Sequence, residues 1–270
     1  MWQGTLIKMK TAQADPVRYS LVDAFQGGEP LEMNALLGRR LRLEHEGEIR
    51  CIHCGSHTAK AFGEGSCYRC FTRLPQNDIC IVKPELCHFH EAANPCRNPD
   101  WGRAHCLIPH ILYLAVSSGL KVGITRESQV PTRWIDQGAT WALPVLRLPD
   151  RLAVGRVEHF LAGHIPDKTH WQKMLRHEMP EVDLAAERGR LLELLDGRFE
   201  AERLPEREPW HFAYPSLEWP KKVISLNLEK TRLVEGRLLA IKGQYWILDS
   251  GVLNVRKHSG WCVTVRAEAA

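Results

Sequence analysis

No stretch of the 270 residues approaches the roughly 20 consecutive apolar positions that a membrane-spanning helix needs, so a helical span is excluded. The opening segment, Met1 to Lys10, scatters lysines among apolar residues and lacks the hydrophobic centre of a signal peptide. The expected compartment is therefore the cytoplasm, where thiols stay reduced and disulfides are rare. Nine cysteines in such a chain point to metal instead. No repeat of fixed period is visible, which removes solenoids and arrays. What remains, 44% apolar and 25% charged residues, is the composition of a soluble globular protein of one large domain or two ordinary ones.

The net charge of +4 is unevenly placed. Residues 101–176 carry ten Lys/Arg against five Asp/Glu, while residues 177–219 carry five against eleven. A basic middle beside an acidic segment points to an anionic partner for the middle; charge alone is equally compatible with an ordinary mixed surface.

The pattern predicts an α+β fold in five stretches. Residues 1–50 read as short strands at 5–9 and 17–22 around a Gly27-Gly28-Glu29-Pro30 turn. Residues 51–106 are a cysteine-rich metal-binding segment without steady periodicity. Residues 107–180 open with strands at 111–116 and 120–124, joined by Ser117-Ser118-Gly119 as a hairpin. Helices should follow near Pro131, after an Asp150 cap through Ile165, and after Asp167 or Thr169. Residues 181–220 read as an acidic helical hairpin, capped by Asp183, and a connecting segment. Residues 221–270 return to strands, expected to pair with the N-terminal ones in one small β module because neither end suffices for a sheet alone.

The sharpest motif is Cys51-x2-Cys54, twelve residues, then Cys67-x2-Cys70. Each pair forms a knuckle presenting two thiolates from one tight turn, and two knuckles complete a tetrahedral site for a structural zinc. Gly55 and Gly65 help the turns. Redox pairs or free core cysteines would not call for two knuckles at this spacing. Cys80, Cys87, Cys96 and Cys106 follow at irregular gaps, with His88, His90, His105 and His110 among them. They form a second zinc site if all four ligate, with His90 or His110 as substitutes in a mixed site. An iron–sulfur cluster would accept the same thiolates, and Cys80, between two isoleucines, also reads as a buried strand residue. Cys262 reads as core.

The segment HILYLAVSSGLKVGITRESQVPTRWIDQGAT at 110–140 resembles the GIY-YIG nuclease superfamily, particularly its phage-type branch. Ile111-Leu112-Tyr113 matches the first motif and Lys121-Val122-Gly123 the second. Arg133 matches the superfamily's phosphate-facing arginine, and Glu158 on a following helix its metal-binding glutamate. The resemblance covers roughly 110–165 and implies a phosphodiester ligand, with Mg²⁺ at Glu158 if the core cleaves. It departs from the pattern where Lys121 replaces the second tyrosine and where the first motif lacks its glycine, leaving Tyr113 alone to act as a base. The whole chain is also similar to a bacterial family of unknown function, which carries the strings KVGITR and RWIDQGA. That similarity favours Cys80, Cys87, Cys96 and Cys106 as the second cysteine set.

The residues support a similar reading on their own. Glu158 interrupts the apolar helical line Val154, Leu161, Ile165, and a carboxylate there needs a cation, a hydrogen-bond network or a metal. Lys121, Arg126 and Arg133 are the cations at hand. Together with Tyr113 they could hold a phosphodiester, arginine as a bidentate fork and glutamate through Mg²⁺; a plain Glu158–Arg133 salt bridge between two helices is the alternative. Trp134 could stack on a base beside Arg133, although a core position suits tryptophan better. The expectation is a zinc-containing protein that binds RNA or DNA through its basic core. A metal-dependent nuclease using Tyr113, Lys121, Arg133 and Glu158 is the first competitor. A zinc-stabilised scaffold docking a protein partner is the second.

Overall fold

The computed structural model describes residues 1–165 and 170–268. Five strands come first: β1 (Trp2–Thr5), β2 (Lys10–Ala12), β3 (Arg18–Leu21), β4 (Leu31–Glu32) and β5 (Arg40–Ile49). Three short helices, α1 (Tyr68–Arg73), α2 (Ile79–Val82) and α3 (Pro99–His105), thread the cysteine-rich stretch. The middle runs β6 (His110–Val116), β7 (Leu120–Arg126), α4 (Thr132–Asp136), β8 (Trp141–Leu148) and α5 (Arg151–Leu161). Helices α6 (Trp171–Leu175) and α7 (Leu184–Leu195) precede three two-residue strands, β9 (Glu202–Arg203), β10 (Trp210–His211) and β11 (Ser225–Leu226). The chain closes with β12 (Leu233–Lys242), β13 (Tyr245–Leu248), β14 (Gly251–Asn254) and β15 (Trp261–Ala267).

These elements make a mixed α+β fold with several sheets. The largest has seven strands in the order β1-β15-β5-β12-β13-β14-β11. Both ends of the chain build it: Trp2 faces Val265 across β1 and β15, and Leu43 of β5 lies between Val234 and Val265. A second sheet runs β10-β8-β6-β7, with β9 on β8, and β2-β3-β4 form a third. No described helix is long and apolar enough to cross a membrane.

Strand β6 explains how the middle is held. All seven of its residues are buried. Side chains alternate across a strand, so Ile111, Tyr113 and Ala115 join the core shared with the seven-stranded sheet. Leu112, Leu114 and Val116 enter a second core with Val154, Val157 and Leu161 of α5 and with Leu184, Leu191 and Leu195 of α7. The same principle places α7: Asp183 caps it by accepting from the Ala185 and Ala186 amides, and its leucines cover the sheet.

Four expectations change here. Strand β8 goes unpredicted because Pro144 sits inside it; the register with β6 slips beside Tyr113, and the bulge accommodates the proline. The helix capped by Asp150 ends at Leu161 rather than Ile165. Residues 181–220 hold a single helix, not a helical hairpin, and the expected connector contributes β9 and β10 to the edge of the second sheet. Cys80 lies in a helical turn rather than a strand, because Asp78 caps α2 through the Ile79 amide. The capping positions Asp167 and Thr169 lie outside the described residues.

Candidate functional site

Cys51, Cys54, Cys67 and Cys70 converge so that their sulfurs all lie within 4.8 Å of one another. Two tight loops make this possible. Gly55 N–H donates to the Cys51 carbonyl (2.8 Å), and Phe62 and Ser66 exchange backbone hydrogen bonds of 2.8 and 2.9 Å. Ile52 N–H reaches across to the Gly65 carbonyl (3.0 Å) and locks the loops together. A tetrahedron with Zn–S bonds of about 2.3 Å separates its sulfurs by about 3.8 Å. The Cys54 and Cys67 sulfurs are 3.8 Å apart. Hydrogen bonds from Ser56 bring the Cys54 thiol down to about 6, while desolvation pushes its neighbour Cys70 up to about 12. The donor set fits a structural zinc.

The second set behaves differently. Cys80, Cys87, Cys96 and Cys106 line one cavity of about 10 Å³ together with Asp78, His88 and Trp101. Within that ring the compact metal-type group is Asp78, Cys80 and His88, rather than the four sulfurs. The histidine is therefore His88, not His90 or His110. His110 is buried elsewhere, with Nδ1 2.7 Å from the Ile108 carbonyl, and burial drops it to about 4. A hydrogen bond with Cys80 lowers Cys87 to about 6, while burial pushes Cys106 up to about 11. Cys262 is buried in β15 and 3.4 Å from the Thr5 hydroxyl, a core residue.

Beside the cysteine segment lies a groove of about 550 Å³. Tyr113, Lys121, Arg126, Arg133 and Glu158 all line it, with Lys8, Arg151 and Arg256. Tyr113 and Gly123 face each other across β6 and β7. The glycine is obligatory: a Cβ there would come within 2.7 Å of the tyrosine ring and hydroxyl. The tyrosine hydroxyl donates to Gln137 Oε1 (2.8 Å), and Lys121 Nζ donates to the same oxygen (2.7 Å).

Charge in the groove is unbalanced. Asp136 is bound by Lys8 at 2.8 Å, and Glu64 pairs with Arg256. Lys121, Arg126, Arg133 and Arg151 then face one further lining carboxylate, Glu158. Arg151 is fixed by the carbonyls of Cys80 (3.2 Å) and Ile81 (2.6 Å), which ties the second cysteine segment to the groove wall. Burial lowers the Arg126 guanidinium, and the neighbouring Arg151 charge lowers it further. Like charges held close beside a cavity are the electrostatic form of an anion site.

Trp134 requires a correction. It is fully buried, packed edge-on to Tyr113 and Trp210, and closed to any base. Trp141 is exposed, but its ring lies 4.3 Å from that of His211 at the sheet edge. Sequence reasoning missed Lys8, Arg151 and Arg256. Lys8 and Arg256 come from opposite ends of the chain and carry no local signal. Arg151 had one, since it directly follows the helix cap Asp150.

A cysteine-stapled α+β protein with a cationic groove is the class these features define. Residues 38–263 match the family described as a protein of unknown function, DUF2797, and the chain belongs to that family. No curated protein and no solved structure matches it.

Proposed function

We propose that the groove holds the phosphodiester backbone of a nucleic acid, on a core arranged as in GIY-YIG proteins, in a cytoplasmic zinc protein. The convergence of four cations on one cavity with a single further carboxylate carries this reading. Arginine forks suit phosphate oxygens, and six Lys/Arg side chains line the groove beside its apolar residues Ile81, Val82, Pro84, Val122 and Ile124. A Mg²⁺-dependent phosphodiesterase is the second reading, favoured by Tyr113 and Glu158 sharing that cavity. Against it, Lys121 stands where the second motif of that resemblance has its tyrosine, and the Tyr113 hydroxyl is engaged with Gln137 Oε1. Filter binding with RNA and DNA at two salt concentrations tests the first reading, because binding driven by phosphate contacts falls steeply with salt. Arg133→Ala should weaken binding by roughly 1–3 kcal/mol. Glu158→Gln should leave binding intact or tighter. Mg²⁺-dependent cutting by wild type that vanishes in Glu158→Gln would promote the enzyme reading.

The second cysteine set reads as a second structural zinc, its ligands chosen from Asp78, Cys80, Cys87, His88, Cys96 and Cys106. His88 Nδ1–H donates to the Asn94 carbonyl (2.6 Å), which leaves Nε2 as the lone-pair nitrogen of the neutral ring. Such a bond from the distal ring nitrogen is the usual support of a ligating histidine.

A further inference from the structure

The cationic groove does not end at Gln137. A second cavity of about 260 Å³ shares Lys121, Asp136, Gln137 and Arg256 with it, so the two adjoin along those residues as one extended channel surface. Trp171 and Tyr245 line the far end. Their rings are nearly parallel, 9° apart, with centroids 5.9 Å from each other. Trp171 remains 37% exposed. Tyr245 is anchored in β13, where it pairs with Lys242 and Asn254, and it backs the indole from a rigid sheet. Buried aromatic pairs are ordinary core packing. This pair is open to a channel whose other end is cationic.

We infer that Trp171, backed by Tyr245, is a stacking platform for an unpaired nucleobase, and that the preferred ligand of the channel is single-stranded nucleic acid. The inference rests on the phosphodiester reading of the groove. Bases inside a duplex have both faces covered by neighbouring pairs, so only an unpaired base can lie on the indole. Lys121 and Arg256 line both cavities and stand where the phosphates of that strand would run. An indole face accepts any base, so the platform selects for strandedness more than for sequence.

The test compares three fluorescent ligands of equal length by anisotropy: a mixed-sequence single strand, a strand of the same phosphodiester chain carrying abasic sugars, and a duplex. Wild type should bind the base-bearing strand at least tenfold more tightly than the abasic one. Trp171→Ala should lower affinity for the base-bearing strand roughly five- to a hundredfold, the range of one stacked base, and leave the abasic strand unchanged. Trp171→Phe should keep most of the affinity, and its unchanged melting curve guards against a folding defect. Equal binding of base-bearing and abasic strands by wild type overturns the platform and leaves the groove reading standing, as does an equal loss for both in Trp171→Ala. A duplex bound as tightly as the base-bearing strand overturns the platform and leaves the groove reading standing, and binding of none of the three ligands overturns both.

Discussion

Replacing Gly155 by alanine sets two effects against each other, and their sizes decide the outcome. Gly155 lies inside α5, where alanine should gain about 1 kcal/mol from helix propensity. The new Cβ, however, would sit 2.5 Å from Pro84 Cβ and 2.7 Å from both the Pro84 carbonyl carbon and the Glu85 amide nitrogen. Two of those three atoms are backbone, so no side chain can swing aside. Overpacking that displaces backbone costs about 1–3 kcal/mol, and the absence of a flexible neighbour places this site toward the upper end. The net expectation is a loss of about 1–2 kcal/mol, a melting temperature lower by roughly 2–8 °C for a chain of this size. Gly189 supplies the internal control: it lies in α7, is exposed, and a Cβ there meets nothing within 4 Å. Gly189→Ala should therefore raise the melting temperature by about 2–4 °C. The assay is thermal unfolding followed by circular dichroism for the two variants side by side. A Gly155→Ala protein as stable as Gly189→Ala would refute the close docking of α5 on residues 84–86.

Two further outcomes can be checked with the same protein. Metal analysis of purified wild type should find two zinc per chain in a colourless solution. Cys51→Ser combined with Cys67→Ser should remove one equivalent and lower thermal stability, whereas a brown protein would mean an iron–sulfur cluster at the second set. Lys242 is fully buried, against Tyr214 and Trp219 and 3.0 Å from His177 Nδ1, and burial brings its ammonium from 10.5 to about 7. Between those values the unfolded chain holds a proton that the folded chain lacks, so stability should rise with pH from about 7 to 10.5, by at most about 1.4 kcal/mol per pH unit. Urea denaturation of Lys242→Met across that window should lack this part of the slope; an identical pH dependence in the two proteins would count against a buried neutral amine.

The legible parts of this molecule share a physical property: their information is local. A zinc knuckle needs two cysteines three positions apart, so Cys51, Cys54, Cys67 and Cys70 announce their site by spacing alone. The β6–β7 hairpin is equally local, with its turn at residues 117–119 and its glycine opposite Tyr113. Arg126, Arg133 and Glu158 are spread from the end of β7 to the middle of α5, and the resemblance over 110–165, rather than spacing, is what grouped them. Elements that depend on partners far along the chain stayed hidden. Strand β8 is excused for its proline by a bulge formed against β6, which no window around Pro144 reveals. Strands β9 and β10 are two residues long and too short to show alternation, and only their pairing with β8 makes them strands.

The same distinction explains why the second cysteine set resisted a firm reading. Its members are separated by irregular gaps, and what gathers them is not a turn but the docking of α2 and residues 84–86 on α5. Arg151 supplies that docking by bonding the Cys80 and Ile81 carbonyls, while its guanidinium lines the groove. One side chain thus connects the second cysteine segment to the wall of the cationic groove. If the second set holds zinc as proposed, loss of that zinc would loosen the carbonyls that aim Arg151. The second cysteine segment is then more than a local staple: through α2 it helps to keep Arg126 and Arg151 beside one another against their mutual repulsion. An arrangement that holds like charges together is organised in advance for an anion such as the proposed phosphodiester, and the cysteine-rich segment behind the groove supplies that organisation.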